Sequence, residues 1–418
     1  MKRPLPPAGK EPATPPASQT VVSDAQPDAD GWVAICELDR LLPGEVLRFD
    51  HRGKTHAIYR TVVGQLFATD GACTHGNAQL ADGFLQGTTI ECPKHNGRFD
   101  VRDGSVRRPP PCVALRTYEA REKDGQVLLN VAVAHGKGAA DAAATEIFRV
   151  VSNDNVTPTI KELVLEPEGQ APGYRPGDYL QFEIPPYTER TLADVEVNAP
   201  FDDVWQDQGL AGLRAANPAA TWRSYSMAGN PAAGGNLVFN VRLATPPRGI
   251  DAPAGIGSSY LFSLRPGDQI TAKGPQGTFH IMGSDREMVY LGGGSGMAPL
   301  RSHISYLFET QHTARRVSYW YGARSLMEIY YEEYFEALAR ERANFTFHVA
   351  LSEPRPEDNW EGPTGFIHEV LGREYLSSHP DPTQIEYHLC GPLPMIRAAM
   401  KMLADFGVPP EQIISDEF

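Results

Sequence analysis

Between residues 31 and 133 the apolar positions come in short runs cut by turn-forming residues: VLRF, HAIYR, QLFATD, TTIEC and QVLLNV. Runs this short, bounded by Gly, Asp and Pro, predict the strands of a small all-β domain. Residues 134–145, AHGKGAADAAAT, have no alternating pattern and predict a linker. A second β-rich segment, residues 146–283, follows with IFRVVS, TIKELVLE, DYLQFEI, LVFNVRL and DQITAKG. From residue 284 to 418 the strand-like runs MVYLGG, VSYWYG, FTFHVAL and EYHLCG are separated by helix-like stretches such as MEIYYEEYFEALARERA. Strand alternating with helix predicts a parallel α/β sheet. The expected fold class is therefore multidomain: an all-β domain, an antiparallel β-barrel and an α/β parallel-sheet domain. Residues 1–30 carry seven prolines and little that would build a core, so a disordered tail is expected there.

Composition narrows the partners. The 418 residues suit two to three domains, and a 41% apolar content suffices for full cores. A net charge of −14 argues against nucleic acid or an anionic membrane surface as the main partner. No stretch reaches the roughly 18 to 20 apolar residues that span a bilayer. Lys2 and Arg3 have no apolar run behind them, so no secretory signal is read. The cysteines, Cys36, Cys73, Cys92, Cys112 and Cys390, are an odd, sparse set. They fit a reducing cytoplasm better than a disulfide framework.

The first domain carries Cys73-Thr74-His75 and, after sixteen residues, Cys92-Pro93-Lys94-His95. A [2Fe–2S] cluster with two thiolates on one iron and two imidazoles on the other needs this composition. A structural Cys2His2 zinc site would use the same ligands, although the C-x-H spacing is unusual for a zinc finger. The stretch CTHGNAQLADGFLQGTTIECPKHNGRFDVRDGSV, with PPPCVALRTY behind it, resembles the Rieske ferredoxins of aromatic-ring dioxygenases. That resemblance implies a Rieske cluster held by Cys73, His75, Cys92 and His95, with the proline stretch 109–111 closing over it. Respiratory Rieske proteins add a disulfide in these loops; its two cysteines are missing here, which implies a low potential, near roughly −150 mV. Asn96 stands where a glycine often stands, and Cys112 is expected to be a buried structural residue. Lys94, Arg98, Arg102, Arg107 and Arg108 crowd the cluster loops of an acidic chain. They read either as a solvated basic patch or as a surface steering an acidic acceptor.

In the second domain Arg223-Ser224-Tyr225-Ser226 sits just before a strand-like run. Such an R-x-Y-S turn can put a phenol ring against an isoalloxazine, a guanidinium on a pyrophosphate and a hydroxyl near N5, but alone it reads equally as an ordinary turn. Gly255-Ile256-Gly257-Ser258-Ser259-Tyr260 opens an apolar run whose backbone N–H groups suit a phosphate. Further on, Gly292-Gly293-Gly294-Ser295-Gly296-Met297 joins the strand MVYL to the apparent helix LRSHISYLF. Glycines at such a turn let the backbone approach a dinucleotide pyrophosphate, although the spacing is not G-x-G-x-x-G. Cys390-Gly391-Pro392 also follows a strand, where Cys390 either faces the ligand crevice or is a buried hydrophobe.

RSYS, GIGSSYL, GGGSGMAP, CGPLPM and a terminal DEF recur in this order in the ferredoxin–NADP reductase superfamily. Residues 146–418 most resemble the flavin and NADH region of the F subunits of sodium-translocating NADH:quinone reductases. The likeness rests on FNVRLATPP, MVYLGGGSGMAPLRSH, SYWYGARS and PEDNWEGPTGFIHEVL. It implies FAD bound by Arg223, Tyr225, Ser226, Gly255 and Ser258. It implies NADH bound around Gly292, Gly293, Gly294, Gly296 and Met297 and at Cys390, Gly391 and Pro392. Phe418 would stack on the flavin and yield to nicotinamide, while Ser226, Cys390 and Asp416 poise flavin N5 and nicotinamide C4 for hydride transfer. Asp416 is a shorter version of the usual Glu. The pump subunits begin with a membrane-spanning helix and a four-cysteine ferredoxin domain. A proline-rich tail and a Rieske-like domain stand here instead, so membership of a sodium pump is not expected. Glu353, after Ser352, would repel a 2′-phosphate and favour NADH, with Arg324 and Arg355 as opposing cations.

The expected function is a cytoplasmic NADH-dependent reductase: hydride to FAD, then single electrons through the cluster to a terminal oxygenase docking at His75 and His95. Two other classes stay open, a stand-alone NADH dehydrogenase reducing a quinone or other small acceptor, and a non-catalytic redox-sensing module. The hydride-transfer positions argue against the last.

Overall fold

The computed structural model describes residues 19–74, 78–94, 96–108, 111, 113–135, 145–247 and 250–417. The chain divides into two units, residues 1–142 and 143–418.

The first unit consists of β1 (Gln19–Val22), β2 (Trp32–Glu37), β3 (Val46–His51), β4 (Lys54–Arg60), β5 (Leu66–Asp70), β6 (Phe84–Gln86), β7 (Thr89–Glu91), β8 (Arg98–Asp100), β9 (Val106–Arg108), β10 (Thr117–Lys123) and β11 (Gln126–His135). Seven strands form one sheet in the order β1-β3-β4-β5-β10-β11-β2, and β6 to β9 form a second sheet inserted between β5 and β10. Alternation along β3 buries Leu47, Phe49 and His51, and the first two join Val33, Ile58, Val127 and Leu129 in the main core. A separate core of Tyr59, Leu80, Ile90 and Phe99 lies under the cysteine loops.

Two boundaries differ from the sequence expectation. Residues 19–22 are expected in the disordered tail, yet they pair in parallel with residues 47–50. The run QTVV is rich in β-branched side chains, and Val21 packs on the main core. His51 fastens the segment through a 2.8 Å hydrogen bond from Nδ1 to the Ser23 carbonyl. At the other end, Ala134 and His135 belong to β11, paired with Tyr118 and Thr117, rather than to the linker. Residues 1–18 and 136–144 lie outside the described residues.

The second unit opens with β12 (Glu146–Thr157), β13 (Ile160–Pro167), β14 (Tyr179–Ile184), β15 (Tyr187–Thr191), α1 (Phe201–Asp207), β16 (Arg214–Asn217), β17 (Thr221–Ser226), β18 (Leu237–Arg242), α2 (Ile256–Phe262) and β19 (Gln269–Gln276). Six strands lie in the order β17-β14-β19-β12-β13-β18, each pair antiparallel. A bridge between Met227 and Phe239 joins the two edge strands and closes the barrel. The RSYS residues, expected in a turn ahead of a strand, are the strand β17 itself. Arg223 pairs with Phe182 and Tyr225 with Leu180. The run TWRSYS holds the β-formers Thr221, Trp222 and Tyr225, and pairing with β14 outweighs its polar residues.

The α/β part follows: β20 (Glu287–Gly293), α3 (Met297–Ser305), β21 (Val317–Ala323), α4 (Glu332–Glu341), β22 (Phe345–Leu351), α5 (Ile367–Glu374), β23 (Ile385–Gly391), α6 (Leu393–Asp405) and β24 (Ile413–Glu417). All five strands are parallel, in the order β22-β21-β20-β23-β24. β23 is buried along its whole length, as expected for a strand covered on both faces. The chain runs outward from β20 to β22 on one side and returns to β23 on the other. The crevice between the carboxyl ends of β20 and β23 is therefore the topological switch point, where α/β sheets bind ligands.

At the amino end of the sheet, Glu386 of β23 is almost fully buried. It accepts hydrogen bonds from Arg315 Nη2 at 2.6 Å, Ser284 Oγ at 2.6 Å and His388 Nε2 at 2.7 Å. Burial works to raise its pKa, but these bonds outweigh burial and hold it down at about 2. Arg315→Met strands this carboxylate and is expected to cost about 3–5 kcal/mol in urea unfolding. Because the folded pKa is depressed, the pair's contribution is complete above the ordinary value of 4.5 and is lost as pH falls toward about 2. Urea midpoints of the wild type should therefore drop over that window more steeply than those of Glu386→Gln.

Candidate functional site

In the first unit, Cys73 follows β5 and Cys92 follows β7. The two loops close in the same way. The Cys73 N–H donates to the Ala78 carbonyl and the Cys92 N–H to the Gly97 carbonyl, each at 2.8 Å. Both cysteines are buried in one apolar cluster with Tyr59, Leu80, Ile90 and Phe99. Asn96 has φ +56°, the left-handed region that glycine enters freely and Asn more readily than most side chains. That conformation explains why either residue suits the position. Its N–H donates to the Cys92 carbonyl at 3.0 Å, and Thr74 Oγ1 donates to the Val113 carbonyl at 2.7 Å. Two buried cysteines at the necks of two matching loops fit the thiolate half of a [2Fe–2S] site. His75, His95, Pro109, Pro110 and Cys112 lie outside the described residues.

The basic patch is largely answered from within. Arg98 pairs with Glu91 at 2.6 Å, and Arg102 and Arg107 both pair with Asp100, at 2.6 and 2.8 Å. Hydrogen bonds from Arg102 hold Asp100 well below the usual carboxylate range. Sequence reading counted the arginines but not Glu91 and Asp100 beside them. The field they project is weaker than the run of cations suggests.

In the second unit, the start of α2 lies against β17. A Cβ built on Gly257 would stand 2.7 Å from Arg223 Cγ and 3.4 Å from Tyr225 Oη. Only glycine lets this backbone come so close, which sets the start of α2 beside the stem of Arg223 and a phenol, while the guanidinium donates from Nη1 to Thr221 Oγ1 at 2.8 Å and to the Trp222 carbonyl at 2.9 Å. That cradle fits the pyrophosphate and ring edge of FAD. Ser258 acts within the protein: its Oγ accepts from the Ala244 N–H at 3.0 Å and donates to the Gly255 carbonyl at 3.2 Å. It pins the turn rather than presenting a free hydroxyl. Tyr225 stacks obliquely on Phe182, centroids 5.7 Å apart, and burial pushes its phenol well above the ordinary value.

The glycine turn 292–296 leads into α3 at the switch point. A Cβ on Gly296 would lie 2.1 Å from the Cys390 carbonyl oxygen, so the turn packs directly on the end of β23. Tyr330 Oη donates to the Gly294 carbonyl at 3.0 Å and fixes the turn from the other side. Cys390 is fully buried and is the register partner of Asp416 in β24. Burial, and then the Asp416 charge, push its thiol well above the usual range, so it is a neutral group. Ser226 ends β17 in the barrel sheet, and Phe418 lies outside the described residues. α3 ties the barrel to the α/β part: Arg301 Nη1 donates to the Ala228 carbonyl at 2.9 Å and Ser302 Oγ to the Gly229 carbonyl at 2.7 Å.

A cavity of about 490 Å³ opens over the crevice, lined among others by Gly293, Gly294, Arg324, Pro392 and Met395. Its wall on the barrel side carries Arg242, the last residue of β18, a residue sequence reading passed over. The available signal was that Arg242 is the one charged residue in the strand LVFNVR.

Three family models match the chain: a Rieske [2Fe–2S] domain over residues 31–119, an oxidoreductase FAD-binding domain over 211–281 and an oxidoreductase NAD-binding domain over 290–401. Among curated relatives, the F subunit of the Na(+)-translocating NADH-quinone reductase of Klebsiella pneumoniae is 50% identical over 271 residues, 64% of this chain and 66% of that one. The Yersinia enterocolitica protein of the same name is 48% identical over the same shares. This chain thus spans just under two thirds of the length of the relatives it matches. Among solved structures, the Amycolatopsis cytochrome P450 reductase GcoB shares the fold with a TM-score of 0.51 at 22% identity, over 70% of this chain and 76% of that one. The FAD/NAD-binding domain of a nitric oxide dioxygenase from Vibrio cholerae gives 0.50 at 20% identity, over 65% and 98%. The chain therefore carries a Rieske domain ahead of an FAD-binding and an NAD-binding oxidoreductase domain. Among the described residues, no helix is long and apolar enough to cross a membrane.

Arg242→Ala removes a cation from the cavity wall. It is expected to raise the KM for NADH roughly tenfold with a smaller change in kcat, measured by ferricyanide reduction. An unchanged KM would remove Arg242 from the site.

Proposed function

We propose that this chain is an NADH-dependent electron-transfer reductase, passing hydride from NADH to FAD and single electrons through its Rieske cluster to the oxygenase component of a multicomponent mono- or dioxygenase. The observation that carries the reading is the pairing, on one chain, of a glycine-lined switch-point cavity with two buried cysteines at matching loop necks. When bound, FAD takes two electrons as hydride and releases them singly, which suits a cluster that carries one.

The protein's part is binding and alignment. Arg223 and the N–H groups of α2 hold the flavin pyrophosphate, with Tyr225 against the ring. The turn from Gly292 to Met297 and the segment from Cys390 to Pro392 receive the dinucleotide, opposite Arg242. Cys390 contributes a neutral thiol buried at the carboxyl end of β23, and Ser226 and Asp416 supply polar groups near the reacting atoms. Phe418 covers the flavin until nicotinamide arrives. Cys73, His75, Cys92 and His95 hold the cluster, with the histidines as the docking edge. The sparse cysteines suit a cytoplasmic setting.

A second reading has its own support. The relatives at about 50% identity are named as parts of an NADH-quinone reductase, which favours a quinone as acceptor. The two readings separate on turnover: a quinone reductase reduces short-chain quinone fast without a partner protein, whereas an oxygenase reductase does not.

Cys73→Ser is expected to keep NADH-dependent ferricyanide reduction within about twofold while one-electron transfer to cytochrome c drops by roughly 100-fold or more. Loss of both activities would mean that the two modules do not work in series as proposed.

A further inference from the structure

The tip of the β12–β13 hairpin, through Thr157, Thr159 and Ile160, forms part of the cavity wall on the barrel side. That tip is fastened from behind. Trp205 sits on α1, in the excursion between β15 and β16, and is 3% exposed. Its indole Nε1 donates to the carbonyl of Pro158, between Thr157 and Thr159, at 2.5 Å. The same ring stacks on Phe262, with centroids 6.2 Å apart and planes 19° from parallel. Phe262 is the last residue of α2, the helix whose first turn packs on Arg223 and Tyr225. One side chain therefore touches both the wall of the dinucleotide cavity and the helix of the flavin cradle. The bonds around it join the same parts. Asn153 of β12 donates from Nδ2 to the carbonyls of Leu261 and Leu264, at 2.8 and 2.9 Å, and fixes the carboxyl end of α2. Lys161 of β13 is buried; its Nζ donates to the Glu196 carbonyl of the excursion at 2.6 Å and lies 5.6 Å from the Phe262 ring centroid. At the other end of α2, the Leu243 N–H donates to the Thr159 carbonyl and the Gly255 N–H to the Ala244 carbonyl, each at 2.8 Å.

We infer that Trp205 is a positioning residue for hydride transfer, clamping the β12–β13 hairpin on the dinucleotide side to helix α2 on the flavin side. An indole suits the task because it has a donor at its edge and a broad apolar face, so one stiff side chain makes both contacts. Pro158 is buried, and without the indole its carbonyl loses that donor where water reaches it poorly. Trp205 does not line the cavity, so it acts through the two elements it joins. Hydride transfer is far more sensitive to a small misplacement than binding is, so loss of the clamp shows in rate before affinity. The inference rests on the flavin and nicotinamide sites proposed above.

The test uses the full, FAD-loaded chain as wild type, as Trp205→Phe, which keeps the stacked ring and loses the donor, and as Trp205→Leu, which loses both. Amide hydrogen exchange reads the clamp itself. Exchange over residues 157–160 and over 256–262 is expected to speed up together, by roughly fivefold in Trp205→Phe and more in Trp205→Leu, while 297–305 keeps its protection. Anaerobic stopped flow reads bleaching per bound flavin with NADH and with 4,4-dideuterated NADH. The limiting rate is expected to fall about threefold in Trp205→Phe and roughly tenfold in Trp205→Leu, with a larger deuterium effect and a Kd for NADH within about twofold. Exchange that speeds up at one element only, at neither, or equally over 297–305 overturns the assignment. So does an unchanged limiting rate per flavin, the result of a purely structural role that lowers only the urea midpoint and flavin content. Should Trp205→Leu not hold flavin, Trp205→Phe decides alone. Failure of the underlying sites looks different: wild-type flavin that NADH does not bleach overturns them and this inference together.

Discussion

The second unit depends on a short clamp between helix α3 and the residues that follow Ser226 at the end of β17. Arg301 and Ser302 reach the carbonyls of Ala228 and Gly229 at 2.9 and 2.7 Å. The same helix begins at the glycine turn, so one element carries both that turn of the NAD-binding domain and the grip on the end of β17 in the FAD-binding domain. His303, the next residue, is fully buried and donates from Nε2 to the Phe279 carbonyl at 2.9 Å. Burial holds its pKa well below the ordinary value, so it stays neutral. Arg301 lies over the ring of Tyr331, 4.3 Å from its centroid, and Tyr331 in turn donates to Glu162 of β13. Each bond contributes about 1 kcal/mol, or somewhat more where charged. Their larger consequence is geometric, because hydride transfer falls steeply when donor and acceptor are misplaced by an ångström.

Around that clamp the protein supplies shape more than charge. Gly257 and Gly296 allow backbone to approach its neighbours where a methyl group would collide. Cys390 is neutral, and the phenols of Tyr319, Tyr321 and Tyr330 are held protonated by burial. Charge enters at the edges instead, as Arg223, Arg242 and the Arg324–Glu328 pair. That division suits a reaction in which the coenzyme brings the reactivity and the protein sets alignment.

Local features were legible in the sequence. Strand runs, the strand–helix alternation, the glycine turn and the two Cys-x-His and Cys-x-x-His segments all depend on neighbours along the chain. What escaped depends on partners far away in sequence. QTVV reads as tail until β3 supplies its ladder, and RSYS reads as a turn until β14 makes it a strand. Arg98 and Arg107 read as free cations because Glu91 and Asp100 oppose them across neighbouring strands, although Asp100 stands only two residues from Arg102 and was legible there. Arg242 faces a cavity whose other wall comes from strands some fifty residues and more downstream, so its chemistry has no local sign. Ser258 attracts notice for its hydroxyl, which the fold uses to pin its own loop.

The central claim is that electrons entering at the nicotinamide crevice leave through the Rieske domain of the same chain. An anaerobic NADH titration of the loaded protein, followed by visible absorbance and low-temperature EPR, tests it directly. The account predicts flavin bleaching together with a reduced-cluster signal of average g near roughly 1.9, abolished by Cys73→Ser. Flavin bleaching with no such signal in the wild type would contradict it.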